Sequence, residues 1–258
     1  MSKILIQVYS DLHIELMKNF PRVKPTAKYL FLVGDICQLN NPLFFKFFDY
    51  CSPLWEKIFY IPGNHEFYFK KKNYNEINFE YELRFRERYK NVFYLNRKSV
   101  PFNDEIDVYG CVFWTCSYNS NLNDYRMINQ FSEKKKYNIP IDYNFMKKLS
   151  EEDLQSVSNY LSKATKKTIV MTHFPPLQEG TSNPVYDSQS QVLKDYFAWN
   201  NILKELNLNN VPLWLSGHTH WSYDITYNNT RLISNQLGYE SEYNLTNIIE
   251  DGLFEIII

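Results

Sequence analysis

The chain contains five histidines: His13, His65, His173, His218 and His220. Each stands just past a short apolar run and beside Asp, Asn, Thr or Gly. Asp11-Leu12-His13 follows Ile4 to Tyr9, Gly34-Asp35 follows Tyr29 to Val33, and Gly63-Asn64-His65-Glu66 follows Ile58 to Ile61. Thr172-His173 follows Thr168 to Met171, and Gly217-His218-Thr219-His220 follows Leu213 to Leu215. Imidazole nitrogens mixed with carboxylate and amide oxygens suit first-row transition metals, manganese foremost, with iron, zinc, nickel or cobalt as alternatives. Calcium would want an all-oxygen cage. In an extended segment, side chains at i and i+2 share a side. Asp11 with His13, and His218 with His220, are therefore expected to face one cavity. Gly34, Gly63 and Gly217 allow tight turns and close backbone approach. Taken singly, each block is weak. Asp-x-His and His-x-His are common, a strand-end Asp is usually a turn residue or helix cap, and a lone buried His is usually a satisfied core group. Chance would have to place all five histidines in such positions independently.

The elements that must position these groups are legible as patterns. Apolar, β-branched or aromatic runs at Ile4 to Tyr9, Tyr29 to Val33, Ile58 to Ile61, Val92 to Leu95, Ile106 to Trp114, Thr168 to Met171 and Leu213 to Leu215 read as buried strands. Tyr223 to Tyr227, Arg231 to Ser234 and Phe254 to Ile258 read the same way. Helical spacing marks Phe44 to Trp55, Ile77 to Tyr89, Glu151 to Ala164 and Ser190 to Leu206, with Ser150 a plausible N-cap ahead of acidic first-turn residues. Alternation of strand and helix, then a late run of strands, predicts an α/β fold: a two-sheet sandwich flanked by helices. Its groups should meet where strand ends open into loops. Residues 117–149 are polar, Asn- and Lys-rich and long for a plain connection. They read either as a cap or lid over the site or as a surface excursion. Without a repeat or clear linker, residues 1–258 are read as a single domain.

Bulk properties narrow the class. The 258 residues are 44% hydrophobic and 17% aromatic, enough for a sizeable core. With 28 basic and 29 acidic residues, the net charge of −1 supplies no global field for long nucleic acid or an anionic membrane. Basic clusters at Lys70 to Lys72, Arg84 to Arg88 and Lys134 to Lys136 read as solvated faces. Four scattered cysteines without a Cys-x-x-Cys pair suggest reduced thiols and a cytoplasmic location. The N-terminal apolar run is too short for a signal peptide, and no stretch reaches membrane-spanning length.

As an ordered set, Asp11-x-His13, Gly34-Asp35, Gly63-Asn64-His65-Glu66, His173 and Gly217-His218-x-His220 resembles the calcineurin-like metallophosphoesterase superfamily. The set spans residues 11 to 220, nearly the whole chain. A narrower likeness is to a group of bacterial and viral metallophosphoesterases, carried by Trp114-Thr115, Asn123-Asp124-Tyr125-Arg126, His173-Phe174-Pro175-Pro176 and Gly238-Tyr239. The resemblance implies a two-sheet α/β sandwich with two divalent metal ions. Asp11, His13 and His220 would hold the first, Asn64, His173 and His218 the second, and Asp35 would bridge them. His65 would face the phosphate and leaving group without binding metal. The chain departs from the Ser/Thr protein phosphatase branch. Ile36-Cys37-Gln38-Leu39 follows Asp35 where that branch has Asp-Arg-Gly, and its phosphate-clamping arginine is missing there. Ile14-Glu15 replaces a glycine after the first motif. His13 stands where lariat-debranching enzymes have Cys.

Two metal ions about 3.5–4 Å apart can neutralise a phosphate, acidify a bridging water to hydroxide and hold it in line for attack. A protonated imidazole at His65 would then supply the leaving group, worth about 10²–10⁴-fold. Glu66 could orient His65 or cap a following helix. Arg126 could clamp a phosphate if residues 117–149 fold over the site. Tyr239, Trp114 and Tyr125 could stack on a nucleobase or serve as core. The expected activity is hydrolysis of a small phosphate ester, leaning to phosphodiesters such as cyclic or short nucleotides. A phosphomonoesterase and an inactive binding module of the same fold are the alternatives.

Overall fold

The computed structural model describes residues 3–117 and 121–257. Thirteen strands and five α-helices follow in order: β1 Lys3–Tyr9, β2 Tyr29–Val33, α1 Pro42–Cys51, β3 Lys57–Ile61, α2 Tyr74–Arg88, β4 Val92–Tyr94, β5 Lys98–Pro101, β6 Ile106–Cys111, α3 Asp124–Met127, β7 Asn129–Ser132, β8 Tyr137–Pro140, α4 Tyr143–Lys163, β9 Lys167–Thr172, α5 Gln191–Phe197, β10 Leu213–Leu215, β11 Tyr223–Tyr227, β12 Thr230–Ser234 and β13 Leu253–Ile257. One sheet has the order β13-β1-β2-β3-β4, the other β11-β12-β10-β9-β6-β5, and β7-β8 forms a separate ribbon. In the first sheet β1 to β4 run parallel. In the second, β6, β9, β10 and β12 do so.

Period-two side-chain alternation splits each central strand between two cores. In β2, Phe31 and Val33 point into the space between the sheets, where they meet Ile169, Met171, Leu213, Leu215 and Ile233. Leu30 and Leu32 point outward to α1 and α2, against Phe44, Phe47, Phe48, Ile77, Tyr81 and Phe85. On the far side, Val170 of β9 and Trp214 of β10 pack on Val157 and Leu161 of α4. The result is helix, sheet, sheet, helix. The predicted fold class holds.

Local chemistry sets the helix starts. Asn41 accepts from Leu43 N ahead of Pro42, and Asn73 with Glu76 closes a reciprocal capping box on α2. The expected cap at Ser150 is not used: Ser150 lies inside α4, which starts at Tyr143 with Asp142 as N-cap. Residues 117–149 therefore end inside that helix, after α3 and the β7-β8 ribbon. The helix expected over Ser190 to Leu206 is α5 followed by a separate 3-10 turn at Ile202–Glu205.

Candidate metal centre

The parallel strands of both sheets deliver their carboxyl ends to one place. Ser10 and Asp11 leave β1, Gly34 and Asp35 leave β2, Gly63 and Asn64 lie beyond β3, His173 follows β9, and His218 and His220 lie beyond β10. Backbone hydrogen bonds stitch these turns together: Asp11 N to Gly34 O, His13 N to Asp35 O, and Gly217 N to His173 O. Asp11, His13, Asp35, His218 and His220 all have positive φ, between 45° and 73°. The expected i, i+2 alternation is thus not what turns these side chains toward the cavity; the left-handed backbone does it. Gly34, at φ +86°, is pressed against His173 and Gly63, so no Cβ fits there.

Three groups of potential ligands form among the described residues: Asp11, His13 and His220; Asp35, His173 and His218; and His13, Glu15 and His65, in which Glu15 already accepts from both rings. Asn64 joins the second, its Oδ1 3.1 Å from His173 Nε2. Asp35 lies between the first two groups, with Oδ1 3.4 Å from His173 Nε2 and Oδ2 3.9 Å from His13 Nε2.

The hydrogen bonding fixes which ring nitrogens face inward. A carboxylate can only accept, so Nδ1 of His13 must donate to Glu15 and Nδ1 of His220 to Glu242. In the neutral form of each ring both Nε2 atoms are lone pairs, and they face each other at 3.0 Å. His173 Nδ1 donates to Val33 O at 3.0 Å, which leaves its Nε2 facing the Asn64 oxygen, as an N–H donor while the ring is protonated and as a lone pair once that proton is given up. The Asn64 amide cannot flip to help. Its NH₂ donates to Tyr68 Oη and Asp124 Oδ1, each at 3.0 Å. His218 Nε2 is buried without a hydrogen-bond partner. With the imidazoles neutral, lone pairs of His13, His173, His218 and His220 converge with the oxygens of Asp35 and Asn64, which is the arrangement a pair of cations would satisfy.

The family model for calcineurin-like phosphoesterases matches residues 4–222. This chain belongs to that family. An uncharacterized protein of Acanthamoeba polyphaga mimivirus is 30% identical over 267 residues, covering 93% of both chains. Among solved structures, the phosphopantetheinyl hydrolase of Mycobacterium tuberculosis superposes with a TM-score of 0.70 at 15% identity, over 98% of this chain and 95% of that one. A dimetal phosphatase from Danio rerio gives 0.53 at 11% identity, over 90% and 87%. These two share the fold. Family membership makes this calcineurin-like phosphoesterase a hydrolase of phosphate esters, and its ligand groups fit a dinuclear divalent-metal site.

Electrostatics follow from burial and charge. Burial opposes ionisation of Asp35, but His173 and His65 hold its carboxyl well below the usual range. Burial likewise depresses His173, yet Asp35 outweighs it and raises the imidazole to about 10. His218 has no such rescue: burial and the His173 charge keep it neutral, a free donor. At His65, burial is outweighed by Asp35 and by the bond to Glu15, lifting it to about 9.

Several groups carried no separate signal in the sequence. Glu15 and Glu242 back His13 and His220, and Asp124 orients Asn64. Glu66 neither orients His65 nor caps a helix. Its buried carboxylate accepts from the backbone N–H groups of Asp35, Ile36, Cys37 and Gly63 and from Tyr60 Oη, holding the Asp35 turn. Arg126 is exposed and, among the described residues, meets Asn121 at 3.5 Å, because Asp124 and Tyr125 take the buried side of α3. Tyr239 does lie at the site. Its ring is 4.6 Å from those of His13 and His220, and its hydroxyl is 3.3 Å from His65 Nε2. Trp114 is wholly buried core. A cavity of about 790 Å³ opens from Asp35, Asn64 and His65, bounded by Asn121 to Asn123 on one side and by Tyr196 and Phe197 on another.

Proposed function

We propose that this calcineurin-like phosphoesterase hydrolyses small phosphodiesters, of cyclic or short-nucleotide size, with two divalent ions, manganese first among them. The observation that carries this reading is the pair of imidazole lone pairs facing each other at 3.0 Å, each fixed from behind by a carboxylate. Asp11, His13 and His220 would hold one ion, Asn64, His173 and His218 the other, and Asp35 both. When bound, the ions supply positive charge to the phosphate oxygens and Lewis acidity to water. His65 holds a proton near neutral pH and presents Nε2 to the cavity, where it meets the Tyr239 hydroxyl. It would pass that proton to the departing oxygen. Tyr239 would line the substrate side of the site.

The diester preference rests on charge. Among the described residues, no lysine or arginine pairs with Asp11, Asp35, Glu15 or Asp124. Lys194, in the cavity wall, is engaged by the Asp187 carbonyl. Lys204 stands in the same wall, so the cations of the cavity lie on the side of Gln178 to Lys204 and, among the described residues, none lies beside the ligand carboxylates, where a monoester dianion would need one and a diester monoanion would not. The cavity volume suits a nucleotide-sized substituent. Residues 117–149 would act as a fixed wall within a single domain over 1–258. Buried, free Cys37, Cys51 and Cys111 suit a reducing compartment such as the cytoplasm, and no described helix is long and apolar enough to cross a membrane.

The test compares bis(p-nitrophenyl) phosphate with p-nitrophenyl phosphate on protein loaded with manganese, iron, zinc, cobalt or nickel. A kcat/KM ratio of about tenfold or more for the diester is expected, near 1.4 kcal/mol in transition-state binding. The opposite ratio would make this a monoesterase. Turnover of neither, with two ions bound, would make it a binding module.

A further inference from the structure

Glu15 lies two residues past His13, and its surroundings give it two imidazole contacts. His13, left-handed at φ 45° and ψ 45°, starts a one-turn 3-10 helix, Ile14–Leu16. His13 N to Asp35 O and Ile14 N to Ile36 O, each 3.0 Å, tie that turn to the Asp35 loop. Ile14 is buried in the core and Leu16 faces solvent, so the turn carries Glu15 sideways under the site. The Glu15 side chain is only 6% exposed. Its Oε1 lies 3.2 Å from His13 Nδ1 and 3.0 Å from His65 Nδ1. Its Oε2 is buried without a partner. The two imidazole rings meet edge to face with centroids 4.5 Å apart.

One oxygen thus accepts from two imidazoles with different tasks. Each Nδ1 must be the protonated nitrogen, because a carboxylate has nothing to donate. The other nitrogen of each ring is thereby committed: His13 Nε2 turns to His220 and Asp35, and His65 Nε2 turns to the cavity and Tyr239. A buried carboxylate is costly unless it is fully engaged, and here the two N–H donors on Oε1 are what engage it. We propose that Glu15 is a shared positioning residue that sets, through a single oxygen, the ring orientation of both a metal ligand and the proton donor, and the tautomer of the ligand. This rests on the reading of His65 as the proton donor.

The experiment uses the manganese-loaded full chain with Glu15→Ala, Glu15→Gln and His65→Ala. Calorimetric manganese binding is read alongside turnover of two diesters, one with a p-nitrophenolate leaving group and one with an alkoxide. For Glu15→Ala, one of the two manganese sites is expected to weaken by about 10- to 100-fold while the other changes little. Turnover of the alkoxide diester is expected to fall at least about tenfold more than that of the p-nitrophenyl diester, which needs no proton. The same discrimination should appear in His65→Ala without the change in metal binding, and should not deepen in the double variant. Glu15→Gln, which fills the same volume and keeps an acceptor oxygen, should recover much of both effects. Equal slowing of both diesters by Glu15→Ala, or unaltered manganese binding, would overturn the proposal and leave Glu15 as packing alone. If His65→Ala shows no leaving-group discrimination, the proton-donor reading fails, and the shared role fails with it. The metal arm would then still report separately whether Glu15 supports His13.

Discussion

The two halves of the metal centre are braced by different means. On one side, His13 and His220 lean on the carboxylates of Glu15 and Glu242, the latter 32% exposed. On the other, His173 leans on the Val33 carbonyl and Asn64 on Asp124, at the floor of the site, with His218 walled by Phe174 at 4.0 Å. Carboxylate backing makes an imidazole more basic and adds negative charge, so the first half would hold an ion by charge. In the second half His173 is backed by a neutral carbonyl and the Asp124 carboxylate acts only through the Asn64 amide, so that half would hold an ion more by burial and fixed geometry. The first ion should therefore exchange faster and be the less electrophilic of the two.

Asp35→Asn touches both halves and should have the largest effect. Manganese stoichiometry is expected to fall below two and affinity to drop by more than about 100-fold; retention of two tight ions would remove Asp35 from the bridging position. Next comes His65→Ala, which should leave both ions in place while slowing turnover of an alkoxide-leaving diester by about 10²–10⁴-fold. An unchanged rate would exclude His65 from the reaction. Glu242→Gln and Asp124→Asn bear on the comparison directly. Each should cost about 10- to 100-fold in affinity, the former at the faster-exchanging ion and the latter at the slower one, as read by chelator kinetics. If both variants loosen the same ion, the two halves are not braced independently. Arg126→Ala should do least: kcat/KM within about twofold of the parent, since its guanidinium lies outside the cavity.

Much of the frame was legible because it obeys short-range rules. Leu30 to Val33 and Ile169 to Met171 are apolar throughout, which suits strands buried on both faces, and both lie in strands. The loop blocks after them stand out because Asp, Asn and His are out of place beside such runs. β5 and the β7-β8 ribbon were not legible: Lys98–Pro101 contains a proline at a sheet edge, and Tyr137–Pro140 is too polar to alternate. Ser150 misled because an acidic triplet after a serine looks like a helix start, while α4 was already under way from Asp142. The supports of the site were illegible for a different reason. Glu15, Glu242, Asp124 and Glu66 reach groups up to 50, 22, 60 and 31 residues away. A pairing over such distances has no periodicity to reveal it. Arg126 sits beside Asp124 in sequence and on the opposite side of a single helical turn, a distinction that spacing over four residues does not resolve.

The left-handed turns at Asp11, His13, Asp35, His218 and His220 have a consequence for how this molecule can drift. An L-residue in that conformation sits about 1–2 kcal/mol above its resting state, and glycine would not. Heat-driven selection on the empty protein would therefore reward glycine at several of these positions and erase the ion sites in doing so. The active chain is, in this respect, a less relaxed version of a tougher and idle relative that its own backbone already describes.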